Sequence, residues 1–443
     1  MAIRRGALAL SMPEPGCRAA WLPAPPPLAM LAADPPRAPP LLVPLLLTLD
    51  DRTLSSELLS LLVIALIAAG TPLLVGLLQL RVAEVVLLLA AGVLCGPHGL
   101  HWIVVDDAIQ LLSQLGLGFL FFAAGLELEQ EAIRGRPGRV ALIGWLASAA
   151  AALLAAWMLQ RSGMTADVIG IAVALTSTAL GTLLPILRDR GELHSRFGLY
   201  FMGAGAIGEF GPILATSLLL GASNTAIALL SLLMFAAVAW IVASVPRHLL
   251  SERLVQVVRR GRHSSSQTGV RLCLLLLVAL LVIANRFGLD VVLGAFVAGV
   301  ILRRSLPPEQ ETLLSLKVEG LAFGIFVPIF FIVSGATLDI ASILQNPHRL
   351  LIFFVLLLLV RGLPQWFLYR QAIPDPRQRG RFALLVATGL PLIVAVTTVE
   401  TSAGLMRPEN AAALVGAGAL SVLVFPLLAA ALAGKAEPPG EAA

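Results

Sequence analysis

Apolar runs of 16 to 24 residues recur from residue 56 almost to the end of the chain, parted by short loops. A helix needs about 20 such residues to cross the hydrocarbon core of a bilayer. The pattern therefore predicts thirteen spans: 56–79, 82–97, 106–127, 138–159, 165–188, 197–220, 224–245, 270–287, 289–304, 319–338, 349–370, 380–403 and 411–433. The short ones, 82–97 and 289–304, are expected to tilt little or to sit within the bundle. The fold class is an all-α polytopic membrane protein.

The spacing contains a repeat. The starts of spans one to six precede those of spans eight to thirteen by 214, 207, 213, 211, 215 and 214 residues. A displacement of seven spans reverses the second half in the membrane, and inverted repeats of this kind build transporters with a site between the halves. The expected division is a first repeat at 51–223, a linking helix and basic loop at 224–269, a second repeat at 270–434 and a short tail at 435–443. Residues 1–50 are rich in Pro and Ala and are expected to stay extended without packing a core.

Hydrophobic residues make up 58% of the chain, and its mean hydropathy is +0.91. A net charge of +5 could suggest nucleic acid, but the basic residues sit in loops. With the basic residues at the ends of the spans counted to the adjoining loops, alternate loops and the tail carry 21 Lys and Arg on one side and 4 on the other. By the positive-inside rule the tail and the loop 246–269 lie in the cytoplasm and the amino terminus outside. Five arginines in the N-terminal segment oppose this slightly. The three cysteines share no metal-like spacing, so neither a disulfide framework nor a zinc site is expected. No cofactor, nucleotide or nucleic-acid partner is implied.

Two charges interrupt the apolar runs. Glu209 lies halfway along span six and Arg361 halfway along span eleven. Charges at mid-membrane depth cost a few kcal/mol and mark ion pathways. Glu209 stands in a glycine-rich stretch, Gly203 to Pro212, and can hold either a proton or a metal ion, but not both. Arg361 stays charged and is expected to compensate that carboxylate. Span five holds Thr176, Ser177, Thr178 and Gly181, with Pro185 after them. Its repeat partner holds Gly389, Pro391, Thr397, Thr398 and Glu400. Gly181, Pro185, Gly389 and Pro391 are the expected helix breaks, where freed carbonyls and hydroxyls can replace the water around Na⁺ or K⁺. Thr397, Thr398 and Glu400 are accessory candidates; Glu400 reads as a solvated helix-end carboxylate.

The segments LRVAEVVLLLAAGVLCGPHGL (80–100), LGLGFLFFAAGLELE (115–129), ALTSTALGTLLPILRDRGEL (174–193), LGAFVAGVILRR (293–304) and FVPIFFIVSGATLDI (326–340) resemble the bacterial monovalent cation:proton antiporters of the Kef type, the sodium/hydrogen exchanger domain. The resemblance covers roughly 55–433. It implies discontinuous crossing helices at spans five and twelve, and a core that moves against a dimerisation domain. The family's essential carboxylate falls on Glu209 and its basic residue on Arg361. Where the family has aspartate preceded by Asp, Asn or Gln, this chain has Gly208-Glu209. A single carboxylate with an arginine partner favours one-for-one, electroneutral exchange. No Gly-rich nucleotide-binding fingerprint follows the last span, so gating by a ligand in cis is not expected.

The expected activity is Na⁺/H⁺ or K⁺/H⁺ antiport by a homodimer in a bacterial cytoplasmic membrane, not an enzymatic reaction. Two other classes fit the same pattern. One is a sodium-coupled carrier of small organic anions, with Arg361 binding the anion; the other is a non-transporting membrane sensor.

Overall fold

The computed structural model describes residues 42–78, 83–127, 135–193, 195–219, 225–249, 267–305 and 308–432. All thirteen predicted spans fall on helices. In order they are α1 (Leu42–Leu78), α2 (Glu84–Cys95), α3 (Asp107–Glu127), α4 (Gly135–Arg161), α5a (Val168–Leu175) and α5b (Leu180–Asp189), then α6 (Arg196–Leu219) and α7 (Thr225–Leu249). The second half holds α8 (Thr268–Arg286), α9 (Val291–Ser305), α10 (Pro308–Leu321, a π-helical turn Ala322–Phe326, Val327–Ala336) and α11 (Pro347–Leu356, a π-helical turn Leu357–Gly362, Leu363–Leu368). α12a (Pro376–Val386), α12b (Leu390–Ser402) and α13 (Pro408–Leu432) complete it.

Among the described residues nine helices are long and apolar enough to cross a membrane by themselves. α2, α7 and the broken α5 are shorter apolar pieces. α1 corrects the reading of the amino-terminal segment, because it reaches back to Leu42, inside the stretch expected to be extended. The leucine-rich run there is helix-forming, and Pro44 falls in the first turn, where its missing N–H breaks no bond. Residues 1–41, the tail and most of the basic loop 246–269 lie outside the described residues.

The helices pack in two sets. In one, α3 lies on α9, α2 on α10, α3 on α10 and α8 on α9. In the other, α4 lies on α6, α11 on α13, α5a on α4 and α12b, and α12a on α6 and α13. α7 touches both sets, meeting α6 in one and α9 and α8 in the other.

The repeat can be seen in matched glycines. A Cβ on Gly92 of α2 would stand 2.0 Å from the Ile332 carbonyl oxygen of α10, and one on Gly335 of α10 would stand 2.1 Å from the Leu89 oxygen of α2. Gly125 of α3 and Gly299 of α9 face Phe296 and Phe122 in the same reciprocal way, at 2.2 and 2.1 Å. Each pair lets two helices approach backbone to backbone, the close packing that small residues permit in membranes.

Candidate functional site

Helix α5 is interrupted between Leu175 and Leu180, where two hydroxyls turn back on its last carbonyls. Thr176 Oγ1 donates to the Val173 oxygen and Ser177 Oγ to the Ala174 oxygen, both at 2.8 Å. The chain then makes its bonds across the gap. The Thr178 N–H donates to the Gly208 oxygen of α6 at 3.0 Å, and the Ala179 N–H to the Thr388 oxygen at 2.7 Å. Thr178 Oγ1 donates to the Val386 oxygen at 2.7 Å. Each interrupted helix thus supplies partners the other lacks, which is how non-helical backbone survives at membrane depth.

The break in α5 lies at 176–179, ahead of the residues expected to cause it. Gly181 and Pro185 both lie inside α5b. In α12 the expectation lands closer to the interruption. Gly389 is the residue before α12b and Pro391 is in that helix's first turn, where proline disrupts nothing. A Cβ on Gly389 would meet Ser177 Oγ at 2.6 Å, so glycine is what lets the two interruptions touch.

Arg361 projects from the π-helical turn of α11 into this crossing and is 1% exposed. Its Nε donates to Thr178 Oγ1 and its Nη2 to the Ala204 carbonyl oxygen, both at 3.0 Å. Nη1 has no hydrogen-bond partner. A Cβ on Gly208 would stand 2.2 Å from Nη2, so the guanidinium lies directly against α6 one residue before Glu209.

Glu209 is nevertheless not Arg361's partner. Among the described residues no ion pair or hydrogen bond joins Glu209 to any side chain, though it is only 7% exposed. Its neighbours along α6 show the layout. Gly208 faces the crossing, the Phe210 ring stacks on Phe296 of α9 at 5.2 Å, and Gly211 abuts the Trp145 ring of α4. Glu209 therefore stands where the two helix sets meet. Another carboxylate, Glu127 at the end of α3, acts on it electrostatically. Glu127 lies within the fields of Glu319, Arg188 and Arg303, and its Oε2 would be 3.7 Å from a Cβ on Gly181. Sequence reasoning missed Glu127, since an acid at a helix end carries no signal until its neighbours are known.

The accessory candidates do not join this centre as a group. Thr397 and Thr398 donate to carbonyls one turn back in α12b, at 2.8 Å to Ile393 and Val394. Glu400 corrects the expectation of a solvated carboxylate. It is 0% exposed and packs beside Asp167 and Gly170, because α5a and α12b lie together along their length.

Residues 54–433 match the family described as sodium/hydrogen exchanger, transmembrane. The chain belongs to that family. Among related proteins, the chain is 28% identical over 368 residues to the glutathione-regulated potassium-efflux system protein KefC of Escherichia coli O6:K15:H31. It is 29% identical over 363 residues to KefC of Klebsiella pneumoniae. Each alignment covers 79% of this chain and 56% of the relative, so the chain spans little more than half the length of these curated proteins. Its fold is similar to that of the sodium proton antiporter MjNhaP1 from Methanocaldococcus jannaschii, with a TM-score of 0.59 and 17% identity, covering 85% of this chain and 96% of that one.

Proposed function

We propose that the exchanger carries Na⁺ or K⁺ against H⁺, one for one, with Glu209 as the shared binding group. The observation that carries this reading is a buried carboxylate that no ion pair or side-chain hydrogen bond satisfies among the described residues. An ionised carboxylate in that setting is strongly unfavourable. It must hold a proton or a metal cation, and each displaces the other. Family membership and the relatives' names support the same pair of substrates.

Arg361 then serves as a fixed positive charge near the site while it braces the crossing. The commitment of its Nε and Nη2 to Thr178 and Ala204 leaves only Nη1 for a carboxylate ligand, which weakens the organic-anion alternative. Thr176 and Ser177 retain lone pairs that can face a cation. Glu127 stands at the approach to Glu209 and would attract cations towards it. The charge asymmetry of the loops supports a cytoplasmic carboxyl terminus in a bacterial inner membrane. Family resemblance supports a homodimer.

Dye-reported proton flux in proteoliposomes tests the proposal, with Na⁺, K⁺ and Li⁺ added in turn. Wild type should show a cation-dependent pH change that Glu209→Gln abolishes while remaining folded. Full exchange by that variant, or no response to any of the three cations, overturns the assignment.

A further inference from the structure

The charge asymmetry of the loops assigns the start of α4 and the finish of α11 to the cytoplasmic side, and these two helices pack together. Two arginines there stand above apolar rows left exposed. On α4, Arg139 is exposed and is followed on the same face by Ile143 and Leu146, both exposed. On α11, Arg370 is exposed and is preceded on its own face by Phe367 and Leu363, again both exposed. Positions three, four and seven apart share one side of a helix. Each row therefore carries its charge at the membrane edge and its hydrocarbon below.

Further basic groups gather at the two rows. Arg136, one turn before Arg139, donates from Nη2 to Gln371 Oε1 of the α11–α12a connection at 3.3 Å. Arg379 of α12a lies over the Trp366 ring, 5.1 Å from its centroid, and Trp366 is one turn below Arg370. The Arg379 Nε is buried without a hydrogen-bond partner. Among the described residues no ion pair joins Arg136, Arg139, Arg370 or Arg379 to a carboxylate. Asp375, the acid between Arg370 and Arg379 in sequence, caps α12a and accepts from the Arg377 and Gln378 N–H groups. Arg381, two residues beyond Arg379, shows the other arrangement: it is buried and pairs with Glu192.

We propose that these four arginines bind the phosphate of an anionic phospholipid of the phosphatidylglycerol type, whose acyl chains lie along the exposed rows of α4 and α11. Charge and apolar surface together select this ligand. A free phosphate would meet the arginines and leave the rows bare. A zwitterionic lipid would cover the rows but bring its own cation against the arginines. Guanidinium suits a phosphodiester because its fork of donors can reach two oxygens at once. The site is carried by α11, which holds Arg361 in its π-helical turn, and by α4, which packs on α6. A bound lipid would brace from the membrane the set of helices that contains the crossing.

Native mass spectrometry of the full chain in detergent tests this, with dioleoyl phosphatidylglycerol, dioleoyl phosphatidylcholine and inorganic phosphate added in turn. One phosphatidylglycerol per chain should bind about tenfold more tightly than phosphatidylcholine, since each basic residue near the headgroups adds to the attraction. Arg139→Gln with Arg370→Gln should abolish that preference, and Arg139→Lys with Arg370→Lys should keep part of it. Arg271→Gln with Arg304→Gln removes the same charge from exposed positions on α8 and α9 and should leave the preference intact. An equal loss in that control pair would mean general attraction to a basic face and overturns the proposal. So does a preference that survives Arg139→Gln with Arg370→Gln, or inorganic phosphate that displaces the lipid at equal concentration. All these substitutions fall on exposed side chains, so the unfolding midpoints in detergent should match that of the parent.

Discussion

Arg361 makes two charge-assisted hydrogen bonds inside the membrane, and neither goes to a carboxylate. Bonds of this kind contribute about 1.5–3 kcal/mol each. Arg361→Ala should therefore lower stability by about 3 kcal/mol or more, leaving Thr178 Oγ1 without its donor and the Ala204 carbonyl with only its helical bond. Glu209→Gln, which removes no such bond, should leave the unfolding midpoint nearly unchanged. Thermal unfolding of both variants in detergent compares them; equal losses would mean that the two residues depend on each other after all. Glu209 and Arg361 were legible in the sequence because each interrupts an apolar run. Asp167 and Glu127 were not, because acids at helix ends are commonplace, and only the packing of α5a on α12b, and of α3 near α5b, gives them meaning.

At the scale of the helix, glycine decides where backbones can meet. Gly299→Ala would drive a methyl group to 2.1 Å from the Phe122 oxygen and push α9 off α3. Overpacking of this kind costs about 1–3 kcal/mol. Gly320, near the end of the first segment of α10, has open space around its missing side chain. Gly320→Ala should stabilise by up to about 1 kcal/mol through the entropy that glycine loses on folding. Opposite shifts in unfolding midpoint are the expected result, and a loss in both would mean that the contact at Gly299 is not what matters. Periodicity and length located the helices well. Glycine and proline do not mark the break in α5, since Gly181 and Pro185 both lie inside α5b. Past the break the Thr178 backbone and hydroxyl bond to α6 and α12 instead of to α5 itself. A hydroxyl's choice between its own helix and a neighbour cannot be read from residue order.

For the molecule as a whole, the inverted repeat was legible from span spacing alone, and the reciprocal glycine pairs show the same relation in three dimensions. The sorting of helices into two packed sets was not, since it depends on which faces meet across the repeat. That arrangement also bears on how the protein is made. The bond from Thr178 Oγ1 to the Val386 oxygen spans 208 residues, and the Ala179 N–H finds its acceptor on Thr388. While the ribosome is still on the first half, those groups sit in lipid with their partners not yet synthesised. A chain ending after residue 249 should insert all its helices yet be cleared rapidly by membrane proteases, and co-expression of residues 250–443 should rescue it. Pulse-chase decay of the half-chain, with and without the second half, measures this; equal lifetimes would mean that the first half satisfies its own backbone. A shorter lifetime of the lone half would mean that the broken helices make the newborn chain wait for its own carboxyl-terminal half, with quality control set by translation time as much as by stability.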